Sequence, residues 1–121
     1  MSQLAEKTCV PCRGGVPPLT PEEIRPLHAE IPAWTVVNNH QLSREFLFTN
    51  FATALLFVNR IGDLAEAQGH HPDVQLAWGR VVLDVWTHKI NGLTESDFVY
   101  AAKVDRVWDS AEGRNPVPAL R

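Results

Sequence analysis

Apolar and polar positions along the chain switch between helical and strand periods, and each switch marks an element. Thr20 followed by Pro21, Glu22 and Glu23 predicts a helix start, with a side-chain cap, a proline at the first helical position and acids at the positive end of the dipole. That helix stops near Ile31-Pro32. The β-rich run Trp34–Val37, the turn pair Asn38-Asn39 and a second run from Leu42 to Thr49 predict a hairpin. From Asn50 the period lengthens: Phe51, Ala54, Leu55, Val58, Ile61, Gly62 and Ala65 recur at helical spacing, and Phe57 and Leu64 widen the stripe. Such a helix lies on a sheet and ends near Gly69, a residue suited to the left-handed turn after a helix. Beyond Pro72, the alternation of Val74, Leu76 and Trp78, a turn at Gly79-Arg80, and the alternation of Val81, Leu83, Val85 and Thr87 predict a second hairpin. Asn91-Gly92 breaks that strand, and Thr94-Glu95-Ser96-Asp97 opens a last helix running to about Ala111. The order α-β-β-α-β-β-α predicts an α+β fold, a four-stranded antiparallel sheet with three helices on one face.

Composition adds limits to this picture. With 121 residues, 45% hydrophobic and 21% charged, the chain makes one ordinary globular domain. Residues 1–18 carry Gly14-Gly15 and Pro17-Pro18 without periodicity and are expected to be a flexible N-terminal arm, leaving the domain over 19–113 and a tail over 114–121. Eleven Lys and Arg against fourteen Asp and Glu give a net charge of −3 without a basic tract, which argues against nucleic-acid binding. No apolar run approaches the roughly 20 residues of a membrane span and no signal pattern opens the chain, so a cytoplasmic location without membrane contact is expected. Cys9 and Cys12 form an isolated CxxC. It lacks both the second ligand pair of a zinc site and the strand-helix context of a thioredoxin motif, leaving three readings: a reduced pair on the arm, a metal shared between subunits, or a redox role.

Chemistry concentrates in the histidines. His28 and His40 read as surface residues, whereas His70, His71 and His88 fall at ends of elements that a two-hairpin sheet brings together. Gly69 and Pro72 bracket His70-His71 with the backbone freedom and restriction of a tight loop. On the return strand His88 shares parity with Val82, Asp84 and Trp86, away from the helix-covered core. Glu66, one turn before His70, either accepts a ring proton from it or is a solvated carboxylate. Asp97 is explained by the S/T-x-x-D/E capping pattern alone. Converging imidazoles suit proton transfer near neutral pH. Metal binding is the rival chemistry, but helical H-E-x-x-H spacing is absent and nothing in the spacing brings Glu66, Asp73 or Asp97 to a facial triad, so no metal is assigned.

Taken together, Glu66-x3-His70-His71-Pro72-x5-Trp78-x9-His88-x8-Asp97 resembles the signature of the pterin-4a-carbinolamine dehydratases. The resemblance implies a hydro-lyase that removes water from 4a-hydroxytetrahydropterin to give quinonoid dihydropterin, in tetrahydrobiopterin recycling after an aromatic amino-acid hydroxylase, without cofactor. It implies that His70 and His88 approach the 4a carbon from opposite faces as general acids or bases and that His71 orients the pterin. Glu66 and Asp97 would hold ring tautomers and anchor the loop, while Gly69, Pro72, Trp78, Trp86, Thr87 and Lys89 would line the substrate slot. Members of the family form dimers and tetramers through helices, and others are accessory proteins that bind a transcription factor or assist assembly of a carbon-fixing enzyme. An oligomer is therefore expected, and a non-catalytic accessory role is the alternative. Phe98, Val99, Tyr100, Val104, Val107 and Trp108 spread over more than one side of the last helix, which suggests that helix as the contact surface.

Overall fold

The computed structural model describes residues 3–10 and 16–115. Its strands are β1 (Thr35–Val37), β2 (Gln41–Leu47), β3 (Asp73–Ala77) and β4 (Arg80–Val85), and its helices α1 (Pro21–His28), α2 (Phe51–Gln68) and α3 (Glu95–Asp109). The sheet runs β1-β2-β4-β3 with every neighbouring pair antiparallel. This is the α+β arrangement expected from the periodicity.

Local chemistry sets the element ends. Thr20 accepts the Glu23 N–H while Glu23 returns to the Thr20 N–H, so α1 starts with reciprocal capping. Asn38 and Asn39, both at positive φ, make the tight turn between β1 and β2. Asn50 caps α2 by accepting the Thr53 N–H at 2.8 Å, and Gly69, at φ 63°, ends the helix in the left-handed region. The second hairpin turns at Trp78-Gly79, one residue earlier than the alternation suggests, because Ala77 pairs with Arg80.

Alternation then decides the core. Val81, Leu83 and Val85 of β4 are fully buried in the core beneath the helices, joined across the ladder by Leu42 and Phe46 of β2. Burying each such side chain contributes about 1.5–3 kcal/mol. Phe46, Phe48, Phe57 and Trp108 form an aromatic cluster with ring centroids 4.9–5.9 Å apart. Arg44 sits on the same face of β2. Its guanidinium lies 4.6 Å from the Phe46 ring centroid and pairs with Asp105 of α3 at 2.5 Å, while the Trp34 indole donates to that carboxylate at 2.8 Å. A charge on the core face is thus tolerated because it is paired.

The N-terminal segment differs from the free arm expected of residues 1–18. Leu4–Glu6 form a 3₁₀ turn, and Leu4, Ala5 and Cys9 are buried against α3. This also explains the apolar surplus of α3: its second apolar side is covered from within the chain, leaving Phe98, Val99, Tyr100 and Val104 buried. Cys12 lies outside the described residues. At the other end, Thr49 N–H donates to the Gly113 carbonyl and Asn115 N–H to that of Leu47, both at 2.8 Å. Among the described residues no helix is long and apolar enough to cross a membrane.

Candidate active site

α2, β4 and α3 all deliver their ends to one edge of the molecule. Gly69 ends α2 and turns the chain so that His70 reaches back over α3. There His70 Nε2 meets Asp97 Oδ1 at 2.6 Å. Asp97 is fully buried and the His70 side chain is only 13% exposed, so this contact is shielded from water. The other carboxylate oxygen accepts the Thr94 N–H and the Thr87 hydroxyl, each at 2.8 Å. The capping reading of Asp97 is therefore correct but incomplete, since one oxygen serves the helix and the other the histidine. With an ionised carboxylate, which only accepts, the shared proton would sit on His70 Nε2, and a neutral ring would leave Nδ1 without one.

His71 faces a different partner. Its Nε2 meets Glu66 Oε2 at 2.5 Å, with both side chains largely exposed. Of the two readings of Glu66, a proton acceptor for His70 or a solvated carboxylate, the exposed side chain fits the second, and its partner is His71 because the turn at Gly69 swings His70 toward α3 and leaves His71 beside the last turn of α2.

His88 is supplied by a loop rather than by the return strand itself, because β4 ends at Val85. Thr87 and Gly92 close the loop through paired backbone hydrogen bonds, and Asn91 adopts φ 56°. Gly92 is needed for packing, as an added Cβ would lie 2.5 Å from Pro18 Cβ. The His88 ring stands edge-on to Trp86 at a centroid distance of 4.4 Å.

These pieces line one cleft of about 330 Å³, formed by Val10, Gly69, His70, His71, Trp86, Thr87, His88 and Lys89. The three histidines singled out from sequence share it. Pro72 instead lines a neighbouring groove between α2 and β3, together with Glu66 and His71. Trp78 is not brought to the cleft. It sits at the far turn of the β3–β4 hairpin, 71% exposed, because five strand residues separate it from the Pro72 end. A larger cleft of about 700 Å³ around Glu45, Trp108 and Arg114 contains none of the histidines.

Two contributions escaped the sequence reading. His40, taken for a surface residue, packs on Trp86 at 5.4 Å and meets Asn91 Oδ1 through Nε2 at 2.9 Å, bracing the loop that carries His88. Val10 comes from the supposed arm. The adjacency of β2 and β4 was the available signal for His40; none existed for Val10.

Around the site, Tyr100 donates its hydroxyl to the Ile61 carbonyl at 3.1 Å, and its ring lies 5.9 Å from that of His70. Burial pushes its pKa upward, keeping the phenol protonated. Burial likewise pushes the Cys9 thiol up to about 11, outweighing Lys103, which lowers it. The thiol donates to the Ser96 carbonyl. A buried thiol of this kind is a poor nucleophile. Among the described residues no three His, Cys, Asp or Glu side chains group as metal ligands.

A helix-covered antiparallel sheet with a buried carboxylate–histidine pair at the end of its elements defines a small α+β protein with paired ionisable groups beside a cleft. Its family is specific. The profile described as pterin 4 alpha carbinolamine dehydratase matches residues 17–107, and the chain belongs to that family of hydro-lyases. A protein of Rubrobacter xylanophilus named as a pterin-4-alpha-carbinolamine dehydratase is 63% identical over 107 residues, covering 88% of this chain and all of the relative. One of Alkaliphilus metalliredigens with the same name is 56% identical over 110 residues, covering 88% of this chain and 96% of the relative. Among solved structures, a transcriptional coactivator/pterin dehydratase from Brucella melitensis superposes with a TM-score of 0.70 at 32% identity, covering 74% of this chain and 97% of its own. A pterin dehydratase-like RuBisCO assembly factor of the alpha-carboxysome shares the fold, with a TM-score of 0.56 at 22% identity over 65% of this chain and 93% of its own.

Proposed function

We propose that this protein dehydrates a 4a-hydroxytetrahydropterin to quinonoid dihydropterin and water, with His70 and His88 as the proton-transferring groups. The carrying observation is that His70, backed by the buried Asp97, lines the same cleft as His71 and His88. Dehydration removes the proton from the ring nitrogen next to the 4a carbon. That nitrogen's electron pair forms the new C=N bond as the C–O bond breaks, and a proton on the departing hydroxyl completes the water. His70, held with its bare Nδ1 as base by Asp97, takes the first proton. His88, on the loop after β4, delivers the second, and His71 with Trp86 orients the flat ring. Solvent returns both imidazoles to their starting states. Such help is worth about 10²–10⁴-fold in rate. In a stopped-flow absorbance assay with freshly generated carbinolamine, His70→Ala and His88→Ala each lose activity of that order with normal melting. A loss below about threefold in both rules the mechanism out. A tetrahydropterin-consuming hydroxylase is the reaction that would supply this substrate.

A second reading, self-association and docking, is favoured by the outer face of α2. Phe51, Leu55 and Leu56 are exposed there, as is Val74 of the edge strand β3. This replaces α3, which the N-terminal segment covers. We propose a homodimer or homotetramer using this face, on which an accessory role would also depend; a monomer by light scattering at micromolar concentration refutes it.

A further inference from the structure

Residues 3–10 are tied down more firmly than a free arm requires. Lys103 Nζ donates to the Ala5 carbonyl at 2.9 Å, and Leu4 and Ala5 are buried. From there the chain runs to the histidine cleft. Cys9 N–H donates to Gln68 Oε1 at 3.0 Å, and Val10 N–H to Ser96 Oγ at 2.9 Å, while Ser96 Oγ also reaches the Val10 carbonyl at 3.2 Å. Gln68 stands just before Gly69-His70, and Ser96 immediately before Asp97. The two elements whose registry makes the His70–Asp97 contact are thus bridged a second time by this strap.

Burial does not account for the placement of Val10. Val10 is 68% exposed and lines the same cleft as His70, His71, Trp86 and His88. A lone exposed valine is ordinary on a surface. Here both of its backbone polar groups are fixed by a serine that is itself buried, so ordering entropy is given up to hold an apolar side chain against an open cleft. Apolar surface held at a cleft wall is hidden from water only when something occupies the cleft.

We infer that Val10 is a substrate-binding residue of this site, its isopropyl group packing against the bound reduced pterin, and that Ser96 is the positioning residue that holds it there. The inference rests on the dehydratase reading above. Val10 then forms the wall contributed by the N-terminal segment, and the size of residue 10 sets which substituents on the ring are accepted.

The test uses the full chain and its Val10→Ala, Ser96→Ala and Ser96→Thr variants, with carbinolamine turnover and equilibrium titration of dihydropterin followed by tryptophan fluorescence. Val10→Ala is expected to raise KM and the dihydropterin Kd about five- to tenfold with kcat within about twofold, since the lost methyl contacts act alike in ground and transition states. Ser96→Ala is expected to raise KM in the same direction, and Ser96→Thr, which keeps the hydroxyl, to recover most of the loss. A Val10→Ala protein with unchanged KM and Kd overturns the inference, and equal effects of Ser96→Ala and Ser96→Thr overturn the part given to Ser96. If the wild-type chain neither turns over carbinolamine nor binds dihydropterin, the dehydratase reading fails and takes this one with it. That outcome is distinct from an active wild type indifferent to Val10.

Discussion

Replacing Asp97 by asparagine separates the two jobs of one buried carboxylate. The carboxylate accepts from His70 Nε2 at 2.6 Å on one oxygen, and from Thr94 N–H and Thr87 Oγ1, both at 2.8 Å, on the other. An amide offers one oxygen and one NH2, so it can keep only one side. With its oxygen toward His70, the NH2 would confront the backbone N–H of Thr94, a fixed donor in a fully buried place, at a cost of about 1–3 kcal/mol. With its oxygen toward Thr94, the NH2 faces His70 Nε2, and the imidazole can answer by moving its own proton to Nδ1. The second arrangement is therefore favoured. It preserves the start of α3 and occupies the nitrogen assigned as base. The expected result is a kcat lower by about 10²–10⁴-fold, as for a histidine held in the wrong tautomer. Loss of a charge-assisted hydrogen bond of about 1.5–3 kcal/mol lowers the melting temperature without abolishing folding. Stopped-flow turnover gives the rate, and ¹⁵N NMR of the imidazole reads the tautomer. An Asp97→Asn protein with its tautomer switched and kcat within about threefold of wild type would refute this account of His70.

Other expectations follow from the same geometry. Trp78→Ser, at the exposed far turn, leaves kcat/KM within about twofold by steady-state assay, as surface changes away from a site usually do; a tenfold loss would place Trp78 in the site after all. His40→Ala removes the Asn91 contact and the packing on Trp86, and lowers kcat/KM about three- to tenfold with little change in melting, through a loosened His88 loop. In a Cys12→Ser background, Cys9 reacts with a thiol reagent at pH 8 about 100-fold more slowly when folded than when denatured, because its thiolate fraction falls with a pKa near 11. The sign of the linked stability follows: the thiol form is favoured by folding, so stability is full below the ordinary value of 9.0 and declines as pH rises toward 11. Denaturant midpoints unchanged across that interval contradict the burial of Cys9.

Much of the fold was legible because it depends on local periods. The alternation of Val81, Leu83 and Val85 survives as three fully buried side chains, and the capping signals at Thr20 and the glycine at 69 fall where the helices begin and end. The grouping of His70, His71 and His88 was also legible, since it needs only the order of elements and the turn between Gly69 and Pro72. The pairing of partners was not. Spacing joins Glu66 to His70 on a helix, but His70 lies past the helix end, where the backbone direction is set by Gly69 and by the position of α3. Trp78 was assigned to the slot through its register in a signature, and register along a strand says nothing about which end of a hairpin reaches a cleft.

The sequence by itself determined the elements, their order, the hydrophobic faces and the set of imidazoles, because these follow from interactions between residues close along the chain. Only the tertiary structure decided that Asp97 orients His70, that Glu66 pairs with His71, that His40 braces the loop, and that Cys9 and Val10 belong to the body of the protein. Each of these joins residues far apart in sequence, through contacts that exist only once helices and sheet have packed. Their geometry is set by the shape of that packing, which no local period encodes.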